Sequence, residues 1–207
     1  MTDTVDIRED LDQRRLEVLR RRLAERGLRS TNQQNDAVGG LSDGQRRMWF
    51  VQTADPTGAI LNICLSYRLT GALDVSRLHD ALDAVAARHR ALRTTFCADA
   101  DGEPQPTVHD ELTPGWSVHD LSELSEHARR LRLEVLAQRE FNAPFDLSTD
   151  APLRITVVRT GADEHVMLLV AHHIAWDDAC WAVFFADLTR AYDGEPLPAP
   201  TAVPRLD

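Results

Sequence analysis

The stretch LRITVVRTGADEHVMLLVAHHIAWDDACWAVFFADLTRAYDG, residues 153–194, decides the fold. Two runs rich in Val, Ile and Leu, residues 153–160 and 165–171, flank the turn Gly161-Ala162-Asp163-Glu164. Neither run alternates polar with apolar, so together they read as a hairpin buried on both faces. Behind them Trp181, Phe184, Phe185, Leu188 and Tyr192 recur at helical spacing, with Asp178 placed as N-cap and Gly194 as the stop. The second strand therefore delivers His172 and His173 to a strand-to-helix junction. Side chains alternate along a strand, so the two imidazoles are expected to point in opposite directions. That disfavours a metal site built from both histidines with Asp177 and Asp178, whose ligands would have to converge, and no metal is expected. A general base needs only one histidine. A pair of hydrogen-bonded core histidines, the plainer reading, needs neither to be functional.

Working outward, residues 122–141 have helical spacing through Leu124, Ala128, Leu131 and Val135, and Pro144 breaks the pattern. Residues 92–97 and 105–108 flank an Asp-Gly turn and predict a two-stranded element. A helix over residues 74–90 starts at Asp74 as N-cap and carries Val75, Leu78, Leu82 and Val85 on one stripe. Before it lie a strand-like run, residues 60–69, and a short helix, residues 45–51. Interposed helices and strands predict an α/β (α+β) layered fold, a mixed sheet flanked by helices.

At the amino terminus, residues 1–28 hold six arginines between Arg14 and Arg26, with Leu16, Leu19 and Leu23 at helical spacing. They predict a basic amphipathic helix on a chain whose formal net charge is -10. Residues 29–40 are polar, end in two glycines and read as a linker; residues 41–195 form the main domain, and residues 196–207 a Pro-rich tail. An acidic chain opposes binding to nucleic acid or to an anionic membrane. Three cysteines without CxxC spacing, and the lack of an apolar leader, point to a reducing, cytoplasmic setting.

The run His172-His173-Ile174-Ala175-Trp176-Asp177 matches HHxxxD, and three further stretches agree with it in order. Ser42-Asp43-Gly44-Gln45-Arg46-Arg47-Met48-Trp49 resembles S-x-A-Q-x-R-[LM]-W, with Gly44 in place of Ala. Arg88-His89-Arg90-Ala91-Leu92-Arg93-Thr94-Thr95-Phe96 resembles R-H-E-x-L-R-T-x-F, with Arg90 in place of Glu. Pro144-Phe145-Asp146-Leu147 and Pro152-Leu153-Arg154 precede the histidine strand. Over residues 41–194 the chain thus resembles the amino-terminal lobe of a nonribosomal peptide synthetase condensation domain, of the chloramphenicol acetyltransferase-like superfamily.

The resemblance implies amide bond formation between an acyl or peptidyl thioester and the amine of an aminoacyl thioester. Both reactants would ride on phosphopantetheine arms of carrier proteins, so the chain itself would bind no cofactor. It implies His173 as catalytic residue, with His172 and Asp177 as supports and Arg93 or Arg88 as the ion-pair partner of Asp177. For either arginine alone, an ordinary surface charge is the competing reading, and Trp49 and Trp181 read as core. Asp178 stands where the family commonly has Gly. It either caps the following helix or places a side chain beside the cleft, and Asp177 to Trp181 also resembles the D-x-x-S-W form of epimerization domains.

The family has two lobes with a tunnel between them, and the resemblance covers the first. A lone lobe is expected to have an open cleft, whether it works with a second lobe, serves as a catalytically incomplete docking module for carrier proteins, or self-associates as an acetyltransferase-like acyltransferase. The basic helix would dock an upstream synthetase subunit or form a solvated cap.

Overall fold

The structure, a computed structural model, describes residues 41–199. The helix expected over residues 1–28, the linker 29–40 and the tail beyond residue 199 lie outside the described residues.

Helix α1, Asp43–Ala54, begins at a capping box in which the Ser42 side chain accepts from the Gln45 backbone and the Gln45 side chain accepts from Ser42 N–H. Strand β1 is Asn62–Thr70, and helix α2, Val75–Arg88, is capped by Asp74 as expected. A 3-10 turn, Arg90–Arg93, leads to β2, Thr94–Ala98, and β3, Pro104–Val108. These two strands form their own antiparallel hairpin. Its turn is eased by Gly102, whose φ of 83° lies in the left-handed region. Next come β4, Gly115–Asp120, and helix α3, Glu126–Asn142. The hairpin β5, Leu153–Arg159, and β6, Glu164–His172, then feeds helix α4, Asp178–Tyr192.

The main sheet has strand order β1-β6-β5-β4. Strand β6 pairs antiparallel with both β1 and β5, whereas β4 runs parallel to β5, with α3 as the crossover between them. Strand β4 is the element that the apolar pattern does not reveal. It lies at a sheet edge, none of its residues is buried, and it opens on Gly115, where a Cβ would come within 2.9 Å of the Arg154 side chain.

Residues of β6 face two different layers. Met167, Leu169 and Ala171 join Leu153, Ile155 and Val157 of β5 under Leu78, Leu82 and Val85 of α2 and Phe184 and Leu188 of α4. On the opposite face Leu168 packs with Val158, Leu121 and Leu136 of α3, and Val170 packs with Trp49 of α1, Phe96, Phe145 and Ile174. Burial on both sides accounts for the unbroken apolar run in β6. Trp49 is core, as expected, and Trp181 stacks on Phe185 at 6.0 Å between centroids.

Helix α3 corrects the expected apolar stripe. Leu124 lies before the helix, whose N-cap is Ser125, and Leu131 and Val135 are exposed at 48% and 60%. The face that meets the sheet carries Leu136, with Leu133, Ala137 and Phe141 beside it. Two apolar rows overlap on this helix, and packing against Val158 and Leu168 selects the other one.

One buried charge ties the α2 and α4 layer together. Asp187 lies on the inward face of α4 between Phe184 and Leu188, and its Oδ2 accepts from Arg88 and, at 2.6 Å, from His89 Nε2. Arg88 Nε also reaches the Pro198 carbonyl at 2.7 Å, which pins the start of the tail. Removing one member of a buried pair strands the other. Asp187→Ala is therefore expected to lower unfolding stability by about 3–5 kcal/mol, measured by urea denaturation.

Candidate active site

The end of β6 sorts the two histidines. His172 is the last strand residue, wholly buried, opposite Asn62 of β1. His173, the next residue, is half-buried, and its N–H still bonds the Leu61 carbonyl at 2.9 Å. The imidazoles have separate partners and do not converge.

His172 Nδ1 accepts the Ile174 N–H at 3.1 Å, so its proton sits on Nε2, 3.2 Å from Gln52 Oε1. The amide of Gln52 is oriented for this, because its Nε2 donates to the Phe145 and Pro56 carbonyls at 3.4 and 3.5 Å. Burial, followed by the charges of His173 and Arg154, depresses the His172 pKa from 6.5 to about 3. Arg154 is part of the same wall. Its guanidinium lies 4.1 Å over the Phe145 ring and donates to the carbonyls of Glu140, Ala143 and Pro144.

His173 has the opposite arrangement. Its Nδ1 lies 2.7 Å from the Trp176 carbonyl, an acceptor only, so Nδ1 carries the proton and Nε2 keeps its lone pair. The junction is short because Ala175 N–H returns to the His172 carbonyl at 3.1 Å, which turns the chain directly into α4.

Asp177, not Asp178, caps α4: its Oδ1 accepts from Cys180 N at 3.1 Å and from Cys180 Sγ at 3.2 Å. The Cys180 thiol first, helped by the neighbouring backbone N–H groups and by His173, holds Asp177 below the usual carboxylate range. Burial pushes the Cys180 thiol up. Asp178 is the first helical residue, exposed, in a position where a carboxylate suits the helix dipole. No described non-glycine residue has a positive φ, so the backbone at Asp178 does not require glycine.

The expected ion pair of Asp177 with Arg88 or Arg93 is not formed. Arg88 is engaged by Asp187, 99 residues away in sequence. Arg93, 3.9 Å from the exposed carboxylate of Asp110, donates to the Ala86 and Ala87 carbonyls at 3.0 and 3.1 Å and to the His109 carbonyl. It thereby caps the carboxyl end of α2. Asp177 is a solvent-facing cap, on the scale of roughly 1 kcal/mol rather than that of a buried ion pair. The other departures from the motifs fit without strain. A Cβ at Gly44 would meet only Ser42 Oγ, at 3.8 Å, and Arg90 is exposed.

Sequence reasoning missed Gln52, Asp187 and His89 as members of these networks. Asp187 carried a signal, a charge inside the apolar row Phe184 to Leu188; Gln52 carried none. Beside the junction a cleft of about 330 Å³ is lined by His89, Leu92, Trp176, Asp177, Cys180 and Phe184, among others, and His173 is not part of its lining. Among the described residues no cluster of three or more His, Cys, Asp or Glu could hold a metal ion. No described helix is long and apolar enough to cross a membrane.

A neutral buried histidine has a thermodynamic consequence. Between pH 6.5 and about 3 the unfolded chain binds a proton at His172 that the folded chain does not. The stability this residue contributes is present above pH 6.5 and is lost as pH falls towards 3, with a slope of up to about 1.4 kcal/mol per pH unit. His172→Gln should be less stable at pH 7 and show a shallower loss of stability from pH 6.5 to 4 in denaturant titrations. Parallel slopes for variant and wild type would contradict the buried neutral imidazole.

The condensation-domain family model matches residues 36–205. A linear gramicidin synthase protein of Brevibacillus parabrevis is 36% identical over 154 residues, 73% of this chain and 3% of that protein. A surfactin synthase protein of Bacillus subtilis is 35% identical over 162 residues, 78% of this chain and 4% of that one. Among solved structures, the first condensation domain of the calcium-dependent antibiotic synthetase superimposes with a TM-score of 0.67 at 24% identity. The starter condensation domain of rhizomide synthetase does so with 0.68 at 17%. Each covers 80% of this chain, which in turn spans 40% of either solved chain. The mixed sheet flanked by helices is thus the fold of those domains, and by the family model and these relatives the chain belongs to the condensation-domain family.

Proposed function

We propose that this chain acts as the amino-terminal lobe of a condensation domain and that His173 is its catalytic base. The substrates would be an acyl or peptidyl thioester and an aminoacyl thioester, each carried on the phosphopantetheine arm of a carrier protein. The observation that carries this reading is the bond from His173 Nδ1 to the Trp176 carbonyl, which leaves Nε2 as an acceptor at a half-buried position. The family membership and the ordered motifs agree with it.

In the reaction the amine nitrogen attacks the thioester carbonyl carbon. The C–N bond forms, the C–S bond breaks, and the phosphopantetheine sulfur leaves as a thiolate. Nε2 accepts the proton that the amine sheds as the tetrahedral intermediate forms, and the imidazolium returns it to the leaving sulfur. Asp177, held ionised by its cap bonds from Cys180, would fix the start of α4 directly behind the loop that carries His173. His172 would be structural: buried and neutral, it holds the Ile174 peptide and takes no proton near pH 7. Tethering two reactants in attack geometry supplies the remainder, an effect of several kcal/mol.

The test is a condensation assay with loaded carrier proteins, on this chain alone and with a carboxyl-terminal condensation lobe. His173→Ala should reduce product formation by about 10²–10⁴-fold if Nε2 is the base, while His172→Gln should act mainly through stability. Product formation indifferent to His173→Ala would refute the assignment.

A further inference from the structure

The peptide that follows the catalytic histidine is gripped from one helix. Ile174 N–H is accepted by His172 Nδ1, whose other nitrogen bonds Gln52; the Ile174 carbonyl, at the far end of that residue, accepts from Gln45 Nε2 at 3.1 Å. Gln45 and Gln52 are seven residues apart on α1, two helical turns, and therefore share a face. Helix α1 thus reaches both polar groups of Ile174, one directly and one through His172. Gln45 is simultaneously the N3 residue of the capping box, since its Oε1 accepts the Ser42 N–H at 3.1 Å. One side-chain amide joins the first turn of α1 to the loop that presents His173, across 129 positions of sequence.

We propose that Gln45 is a positioning residue for His173: its amide holds the Ile174 carbonyl and so sets the orientation of the adjacent imidazole. The capping-box role alone does not require glutamine. Glutamate serves that role equally well, but it has no N–H for the Ile174 carbonyl. A residue doing both tasks must carry one acceptor and one donor on the same terminal group, which is what an amide provides. The half-buried setting of Gln45 keeps the bond to Ile174 from being exchanged freely with water. The inference rests on the assignment of His173 as the base.

The two roles separate in a pair of variants. Gln45→Glu keeps the acceptor for Ser42 N–H and removes the donor to Ile174; Ser42→Ala removes the cap and leaves the donor. The readouts are amide hydrogen exchange at Ile174 and Ala175, thermal midpoint, and kcat and KM in the condensation assay. Gln45→Glu should lower Ile174 and Ala175 protection and reduce kcat roughly tenfold to a hundredfold with little change in KM, at a midpoint close to wild type. Ser42→Ala should lower the midpoint and leave kcat unchanged. Gln45→Leu, uncharged, should reproduce the kcat loss, which excludes an effect of the added carboxylate on the histidines.

Unchanged protection at Ile174 in both Gln45 variants would overturn the proposal, as would altered protection with wild-type kcat. A wild-type chain that supports no turnover in any pairing would instead count against the catalytic reading, and the exchange data would still decide whether Gln45 holds the loop.

Discussion

The site depends on the burial of β6 on both of its faces. A strand packed between two helical layers cannot slip by one residue without exchanging every inward side chain for its neighbour, and here each alternative set is already in a core: Met167, Leu169 and Ala171 on one side, Leu168 and Val170 on the other. Pairing with β1 on one flank and β5 on the other locks the register. The position and direction of His172 and His173 follow from that register and not from local preferences of the junction.

The two histidines then acquire opposite properties from their surroundings. His172 continues the alternation into the layer formed by α1, Phe145 and Arg154, where an imidazolium would be desolvated beside a guanidinium, so it stays neutral and serves as a hydrogen-bonding strut. His173 stands where the sheet ends, and the tight turn into α4 offers it the Trp176 carbonyl. A donor bond at Nδ1 leaves a lone pair at Nε2, which is what the proposed base role requires. The aspartate of the motif supports this arrangement from the surface, as the cap that starts α4 directly after the loop. A buried ion pair is made instead by Asp187, ten residues further along on α4 itself, where it secures α2 against α4.

Much of this was legible in the sequence because it is written in local chemistry. The apolar runs of β5 and β6, the Asp74 cap, the Asp-Gly turn and the aromatic spacing of α4 each follow from rules that act over a few residues, and so does the divergence of two adjacent histidines at a strand end. What was not legible depends on distant partners. The buried face of α3 was chosen by Val158 and Leu168 rather than by its own pattern, in which Leu131 and Val135 looked equally suitable. Strand β4 exists because β5 offers it an edge. The partner of Arg88 was sought in the motif aspartate, yet Asp187, half a helix further on, faces the core while Asp177 faces solvent. Gln52, a buried amide 120 positions from His172, has no sequence signature.

The two neighbouring imidazoles hold opposite tautomers, with the proton on Nε2 of His172 and on Nδ1 of His173. Nitrogen-15 NMR of the histidine side chains across pH 4 to 8 tests this directly. The account predicts that His172 remains neutral with its proton on Nε2 throughout nearly all of that range, while neutral His173 carries its proton on Nδ1. A His172 that protonates near 6.5, or a neutral His173 with its proton on Nε2, would contradict it.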